Sequence, residues 1–351
     1  MSYKTWNKNH YIKTITAVIF FLLAPGSIFC QITVFEGSLG PGDSRLGKYF
    51  DTHTIQLRSG MRVMAVLTSS DFDTYLFVES PGGVERQNDD YSEDGTDSRL
   101  EFLSAENGEW NFKVTSTEDN TEGNYRLTIT EEYIGEAAAH SGVLDKDDPV
   151  AMKGEYYDSY LFRAKANQRI VIAMESDVFD SYLVVQPPSG YPRINDDYQD
   201  ESQSLIDFIT ETGGEYRVYA TSTFPAAKGA YELSILLGRI VDGKKLPGIL
   251  DDKDAVLDEY GYYDEYSFFW EAGRHVIAEL SSGDFDTYLF IEKPDGSEEE
   301  NDDYNELVNL SRIELVTEQT GEYLITVSSY EQGESGSYAL NIFTWDEGSG
   351  N

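Results

Sequence analysis

The sequence is poor in the residues that most catalytic and metal chemistry requires. Its 351 residues include one cysteine and four histidines. A single thiol, Cys30, excludes an intrachain disulfide and a thiolate metal site. His53, His140 and His275 stand far apart, occupy unrelated places in the chain, and belong to no His-Glu-x-x-His motif of zinc hydrolases. There is no Gly-x-Ser-x-Gly nucleophile elbow. The recurring Asp-Thr-Tyr is not the Asp-Thr-Gly of aspartic proteases, in which glycine lets two carboxylates approach. Positive charge is also scarce. Lys and Arg total 26 against 64 Asp and Glu, a formal net charge of −38. Such a surface repels phosphate backbones and anionic membranes, which excludes nucleic acid as a partner. It suits divalent cations, basic surfaces or plain solubility. Long hydrophobic runs are missing too. The longest, Ile15 to Ala24, is too short to span a membrane, and no extended amphipathic helical pattern follows it.

That short run reads as the core of a signal peptide occupying residues 1–30. Lys4, Lys8 and Lys13 precede it, and Pro25-Gly26 break it. Cleavage after Cys30 leaves Gln31 first. The alternative is lipidation of Cys30, although Ser27-Ile28-Phe29 lacks the small residue expected just before a lipidated cysteine. Removal takes three lysines and no acids, so the charge becomes −38 − 3 = −41. The expected location is secreted or on the cell surface, with no transmembrane segment in the mature chain.

What the sequence has in abundance is internal repetition. Asp73-Thr74-Tyr75-Leu76 returns as Asp180-Ser181-Tyr182-Leu183 and Asp286-Thr287-Tyr288-Leu289. Fifteen residues after each aspartate stands Asn-Asp-Asp-Tyr, beginning at Asn88, Asn195 and Asn301. Twenty-two residues before each lies another aspartate behind an aromatic pair: Asp51, Asp158 and Asp264. Downstream come Gly-Glu-aromatic (Trp110, Tyr216, Tyr323) and Gly-x-Tyr-x-Leu (Tyr125, Tyr231, Tyr338). The period is about 105 residues, too long for a solenoid, so each copy is expected to be a domain of its own. Tyrosine and phenylalanine number 25 and 18, and 40% of residues are hydrophobic, enough for strand-rich cores. Apolar or alternating runs recur about every ten residues between Gly, Asn, Asp and Pro, among them Arg62–Thr68, Tyr75–Glu79, Arg99–Leu103, Trp110–Ser116 and Tyr125–Thr130. This spacing predicts an all-β protein of three tandem β-sandwich, jelly-roll-like domains after a signal peptide: residues 31–135, 136–240 and 241–346, with a tail at 347–351. The joins, 131–140 and 236–247, are short.

Taken together, Gly-x-Leu, Asp-x-Tyr-x-Phe, Asp-Phe-Asp-Thr-Tyr-Leu, Asn-Asp-Asp and the closing Gly-x-Tyr-x-Leu resemble the bacterial pre-peptidase C-terminal (PPC) domain, three times over. The resemblance implies a β-sandwich of the kind appended to secreted hydrolases, similar to the calcium-using collagen-binding domains of clostridial collagenases. An accessory role follows: binding, targeting or help in secretion. This chain departs from the pattern because no peptidase precedes the modules. Val178 also stands where Asp71 and Asp284 stand in the other copies, and His53 where they have Tyr160 and Tyr266.

The repeated carboxylates are the candidate sites. Hard cations take six to eight oxygens from carboxylates, amides and carbonyls. Asp73 with Asn88, Asp89 and Asp90 offers such oxygens, as do Asp180 with Asn195, Asp196 and Asp197, and Asp286 with Asn301, Asp302 and Asp303. Calcium is therefore the candidate cofactor. The competing reading is structural, since Asp and Asn side chains fix turns by bonding nearby backbone amides. Asp90 to Glu101 also fits an EF-hand loop in spacing. It lacks the flanking helices, and the other copies lack its glycine. The repeated aromatics are expected in the core, while Trp270 and Trp345, outside the shared pattern, are candidates for exposed contacts. The functional expectation is a non-catalytic tandem binding module that contacts an extracellular polysaccharide, a collagen-like protein or a cell surface. The alternative is a spacer or secretion partner without a ligand of its own.

Overall fold

The computed structural model describes residues 17–19, 30–45, 48–90, 95–196, 198, 202–257, 261–304 and 309–346. Most of the expected signal peptide, the expected tail and Asp197 lie outside the described residues. Compactness divides the chain after Ala139 into two units. All regular structure among the described residues is β.

In the first unit, β1 (Ala17–Ile19) pairs antiparallel with β2 (Cys30–Leu39). The chain continues through β3 (Ser44–Arg45), β4 (Tyr49–Leu57), β5 (Met61–Thr68), β6 (Thr74–Glu79), β7 (Glu85–Asn88), β8 (Ser98–Ser104), β9 (Gly108–Ser116) and β10 (Gly123–Tyr133). Two sheets result, in the orders β1-β2-β10-β5-β8 and β3-β4-β9-β6-β7. Side chains alternate across each strand as the pleat requires. In β5, Met61, Val63, Ala65 and Leu67 are buried while their neighbours are half-exposed, and β6 buries Thr74, Leu76 and Val78. The buried faces meet in one core that includes Phe102, Trp110, Phe112, Leu127 and Ile129.

The second unit repeats this plan twice. β11 (Gly135–Leu144), β12 (Asp158–Ala164), β13 (Gln168–Glu175), β14 (Ser181–Gln186), β15 (Arg193–Asn195), β16 (Gln203–Ile209), β17 (Gly214–Ser222) and β18 (Gly229–Ile240) form sheets β11-β18-β13-β16 and β12-β17-β14-β15. β19 (Asp242–Leu250), β20 (Ala255–Val256), β21 (Tyr262–Trp270), β22 (Arg274–Ser282), β23 (Thr287–Glu292), β24 (Glu298–Asn301), β25 (Leu310–Val316), β26 (Gly321–Ser329) and β27 (Gly336–Asp346) form sheets β19-β27-β22-β25 and β20-β21-β26-β23-β24. Each sandwich has its own core. The strand runs read from the sequence are all present, lengthened by one to three residues at their ends. The segments read as joins are strands: β11 pairs β18, and β19 pairs β27, so the first strand of each sandwich lies beside its last.

The second and third sandwiches are coupled through the outer faces of the sheets that contain β16 and β22. Ile209 and Val241 of the second form a buried cluster with Ile277, Phe343 and Trp345 of the third. Beside it lies a buried ion network. Arg169 pairs with Asp207 at 2.7 Å and with Glu314 at 3.0 Å. Arg312 pairs with Glu279 at 3.1 Å, Glu314 at 3.2 Å and Asp207 at 3.4 Å, and donates to the Asp207 carbonyl at 2.7 Å. Burial works against the charged guanidinium of Arg312, but Tyr304, Asp207, Glu314 and Glu279 outweigh it and raise its pKa. Trp345 and Trp270 are accordingly not exposed, correcting the sequence expectation. Trp345 is 7% exposed and stacks on His275 at 5.0 Å within this interface, and Trp270 is 4% exposed in the third core, 5.1 Å from Tyr323. One sequence cannot tell an outward strand position that meets water from one that meets a neighbouring sandwich.

Removing one partner of a buried ion group leaves uncompensated charge, which costs roughly 3–5 kcal/mol. Arg312→Met removes the arginine bonded to Glu279 and leaves Asp207 and Glu314 with Arg169 alone. It is expected to lower the unfolding midpoint of the second unit in calorimetry far more than Arg217→Met, which removes an arginine whose bond to Ser159 is exposed.

Candidate functional site

The repeated polar residues come together at the sandwich edges, and most of them hold strands to one another. The innermost group joins β2, β4 and β10 in the first sandwich, β11, β12 and β18 in the second, and β19, β21 and β27 in the third. Tyr125 donates its hydroxyl to Asp51 at 2.7 Å, Tyr231 donates to Asp158 at 2.6 Å, and Tyr338 donates to Asp264. Each ring lies against a glycine of the first strand. A Cβ on Gly37, Gly142 or Gly248 would stand 2.1 to 2.3 Å from the tyrosine's ring or hydroxyl. Only glycine leaves room there. A third group completes the arrangement: Tyr160 bonds Tyr231 at 2.6 Å and Tyr266 bonds Tyr338 at 2.7 Å. In the first sandwich His53 takes that place, 2.8 Å from the Tyr125 hydroxyl. Because Tyr125 gives its proton to Asp51, His53 donates from Nε2. The departure noted in the sequence is thus an exchange of one donor for another.

Asn88, Asn195 and Asn301 are committed to the frame. Their amide oxygens accept the backbone N–H of Arg99 at 2.9 Å, of Leu205 at 2.7 Å and of Arg312 at 2.8 Å, linking the end of one sheet to the start of the next strand in the other. The residue after each repeated aspartate does the same with its hydroxyl. Thr74 meets Ser98 at 2.6 Å, Ser181 meets Ser204 at 2.7 Å, and Thr287 meets Ser311 at 2.6 Å. All six hydroxyl residues are buried, so each pair satisfies groups that water cannot reach.

The aspartates divide. Asp73 accepts the Thr117 hydroxyl at 2.8 Å, and Asp180 accepts that of Thr223 at 2.6 Å. In the third copy Tyr330 stands at the position of those threonines; its backbone N–H donates to the Asp286 carbonyl at 3.0 Å, as those of Thr117 and Thr223 do to Asp73 and Asp180, but it brings no hydroxyl to the carboxylate. The Asp286 carboxyl is pushed above the usual range by burial and by Asp303, Glu334, Asp302 and Glu331 around it. One carboxylate oxygen of Asp73 and one of Asp286 are buried and accept no hydrogen bond. Asp89, Asp90, Asp196, Asp302 and Asp303 follow the paired strand, and Asp302 and Asp303 act on Asp286. Even so, among the described residues no three His, Cys, Asp or Glu side chains converge as a metal-holding group. Asp71 and Asp284 tie the last strand instead. The amides of Asn124 and Ser337 reach them at 2.7 and 2.8 Å and hold their carboxyls below the usual range. The EF-hand-like spacing has a different use: Glu101 lies in β8, only 3% exposed, between Arg62 and Arg99.

The repeated aromatics behave as expected of core residues at Trp110, Tyr216 and Tyr323, each about 1 to 2% exposed. Tyr216 and Tyr323 donate to the carbonyls of Thr212 and Gln319 at 2.7 and 2.9 Å. Tyr75 and Tyr182 lie half-buried on the outward face of β6 and β14.

No family model matches the sequence, and no curated protein matches it. Solved structures with some likeness include the major capsid protein P2 of bacteriophage PM2, at 11% identity and a TM-score of 0.20, covering 60% of this chain and 99% of that one. A triple jelly-roll protein of an archaeal virus gives 10% identity and a TM-score of 0.18, covering 95% and 90%. A DUF4785 family protein of Legionella pneumophila gives 10% and 0.17, covering 94% and 89%. At these scores the likeness carries no argument about function.

Sequence reasoning missed the ion network and a cleft beside it, because neither follows the repeat. The cleft, about 700 Å³, is lined by Arg193, Glu279, Ser281 and Asn341 among others. The one signal for it was an irregularity, the Pro187-Pro188-Ser189-Gly190-Tyr191-Pro192 loop that only the second copy carries.

His53 gives a pH signature. Burial lowers its pKa from 6.5 to about 4. The unfolded chain therefore takes up a proton at this position as pH falls through 6.5 while the folded chain does not, and stability drops between about 6.5 and 4. His53→Tyr places in the first sandwich the residue that the other two use. The variant is expected to lose less stability than the parent between pH 7 and pH 4.5, measured by urea unfolding at each pH.

Proposed function

We propose that this protein is a secreted, non-catalytic tandem binding module of the PPC kind, which contacts an extracellular polymer or surface and is assisted by calcium. The observation that carries the reading is the use of the repeated polar residues. Tyrosine, asparagine and hydroxyl groups that recur in all three copies are engaged in fastening strands, and His53 and His275 are buried against aromatic rings, each with a pKa lowered to about 4. A scaffold repeated three times, with weak contacts on each copy, raises avidity without requiring one strong site. The signal-peptide pattern supports a location outside the cytoplasm.

Calcium has a specific rationale in the third copy. Burial and four neighbouring carboxylates raise the Asp286 pKa, and one of its oxygens has no partner. A divalent cation there would relieve the repulsion, with carbonyl oxygens and water completing its shell. A spacer without a ligand is the second reading, favoured by the rigid coupling of the second and third sandwiches.

Two measurements test the proposal. Full-length protein is expected to co-sediment with at least one of chitin, cellulose, collagen or isolated cell wall. Millimolar calcium is expected to raise the melting temperature over that in chelator, because a ligand of the folded state stabilises it by mass action, about 2.7 kcal/mol at a hundredfold excess over Kd. Asp286→Asn is expected to diminish that rise. Identical melting curves leave the aspartates as turn-fixing residues. Release of soluble fragments from any of the four polymers would show catalysis and end the non-catalytic reading.

A further inference from the structure

The cleft beside the ion network is built differently from the rest of the surface. Its floor continues the outer face of β22 and β27 beyond the point where the second sandwich covers it. Ile277 is in the covered part. Glu279 and Ser281, two and four residues further along the same face, line the cleft, and Asn341 lies directly across from Glu279. The opposite wall comes from the second sandwich: Phe208 and Arg193, and the proline-rich loop that carries Tyr191.

Three of these side chains have capacity to spare. Asn341 is only 8% exposed and lines the cleft, and among the described residues no hydrogen bond holds its amide. An amide with no protein partner keeps its donors and its acceptor for whatever occupies the cleft. The Arg193 guanidinium rests over the Phe208 ring at 5.1 Å and 4.0 Å from the Glu279 carboxylate, and donates no hydrogen bond to either. Glu279 is held by Arg312 through one oxygen at 3.1 Å, which leaves its other oxygen facing Arg193 and the cleft. Planar donors and acceptors thus converge on one space.

Tyr191 stands at the rim, 93% exposed. Pro187, Pro188 and Pro192 stiffen its loop, and Gly190 supplies the turn at φ +94°. The corresponding loops of the other copies, Ser80–Val84 and Lys293–Ser297, carry no aromatic ring. An exposed ring on a stiffened loop is already ordered for contact, so little freedom is lost on binding.

The geometry points to a binding site for a neutral oligosaccharide at this cleft, with Arg193, Glu279 and Asn341 taking paired hydroxyls and Tyr191 covering the apolar face of a sugar ring. This rests on the polymer-binding reading above and names its ligand class and place. Adjacent hydroxyls present a donor and an acceptor side by side, which amide, carboxylate and guanidinium groups match. The volume suits a short stretch of polymer. Arg193 and Glu279 balance each other in charge, and the surrounding surface is acidic, so a neutral chain is favoured over an anionic one. An extended peptide fits less well, because the floor presents side chains from the face of a sheet rather than an unpaired strand edge.

The test uses full-length protein and calorimetric titration with soluble cello-, chito-, xylo- and manno-oligosaccharides. At least one is expected to bind. Asn341→Ala and Tyr191→Ala are each expected to weaken that binding tenfold or more. Tyr191 is so exposed that its loss leaves the melting curve unchanged, which separates recognition from folding. A parent protein that binds none of the four overturns the proposal. So does sugar binding that persists in the double variant, or gelatin binding that the double variant abolishes in the absence of any sugar binding. Retention of polymer co-sedimentation by the double variant sinks this cleft while leaving the polymer-binding reading intact. Absence of co-sedimentation by the parent removes both.

Discussion

A buried tyrosine hydroxyl donating to an aspartate over a glycine is the interaction on which each sandwich depends. Tyr125, Tyr231 and Tyr338 come from β10, β18 and β27, Asp51, Asp158 and Asp264 from β4, β12 and β21, and the glycine beneath each ring from β2, β11 and β19. These strands lie in two different sheets, and a backbone ladder cannot join sheets to each other. A hydrogen bond to an ionised carboxylate is stronger than one between neutral groups. Burial first, and then the carboxylate, raise the tyrosine pKa, so the hydroxyl keeps its proton at any ordinary pH. Substitution of any of the three removes either the room, the donor or the acceptor.

The asparagine–amide and hydroxyl–hydroxyl contacts serve the same end at other points along the sheet edge. Together they explain a pattern that looks like a functional motif and is largely architectural. A sandwich of this size has a modest core, and unsatisfied polar groups at its margins would cost more than each contact gains. Repetition of the same residues in three copies reflects the same physical need met three times.

The second and third sandwiches add something the single module lacks. Two arginines and two carboxylates almost without access to water, with Glu314 partly exposed beside them, are an uncertain source of net stability, since desolvation offsets attraction. Their geometry is demanding, however, and it fixes the register between two sheets that apolar contact alone would allow to slide. A fixed register is also what keeps Glu279 and Asn341 opposite Arg193 and shapes the cleft between them.

Much of this was legible in the chain itself. Alternation in Arg62–Thr68 or Tyr75–Glu79 gives strands and their inward faces, because the pleat has a period of two and one face must leave water. Fixed spacing of Asp73, Asn88 and Tyr125 across the copies gives three like domains, because a shared frame needs shared anchors. The role of those anchors was not legible: aspartate and asparagine serve cations and backbone amides with the same oxygens, and only their neighbours decide between the two. The buried tryptophans, the ion network and the cleft were hidden for a related reason. Trp345, Arg312 and Asn341 occupy outward positions on their strands, and whether an outward position meets solvent, a second sandwich or an open cleft is decided by how whole sheets pack. That packing joins residues such as Asp207 and Arg312, 105 positions apart, through charges that no local pattern connects.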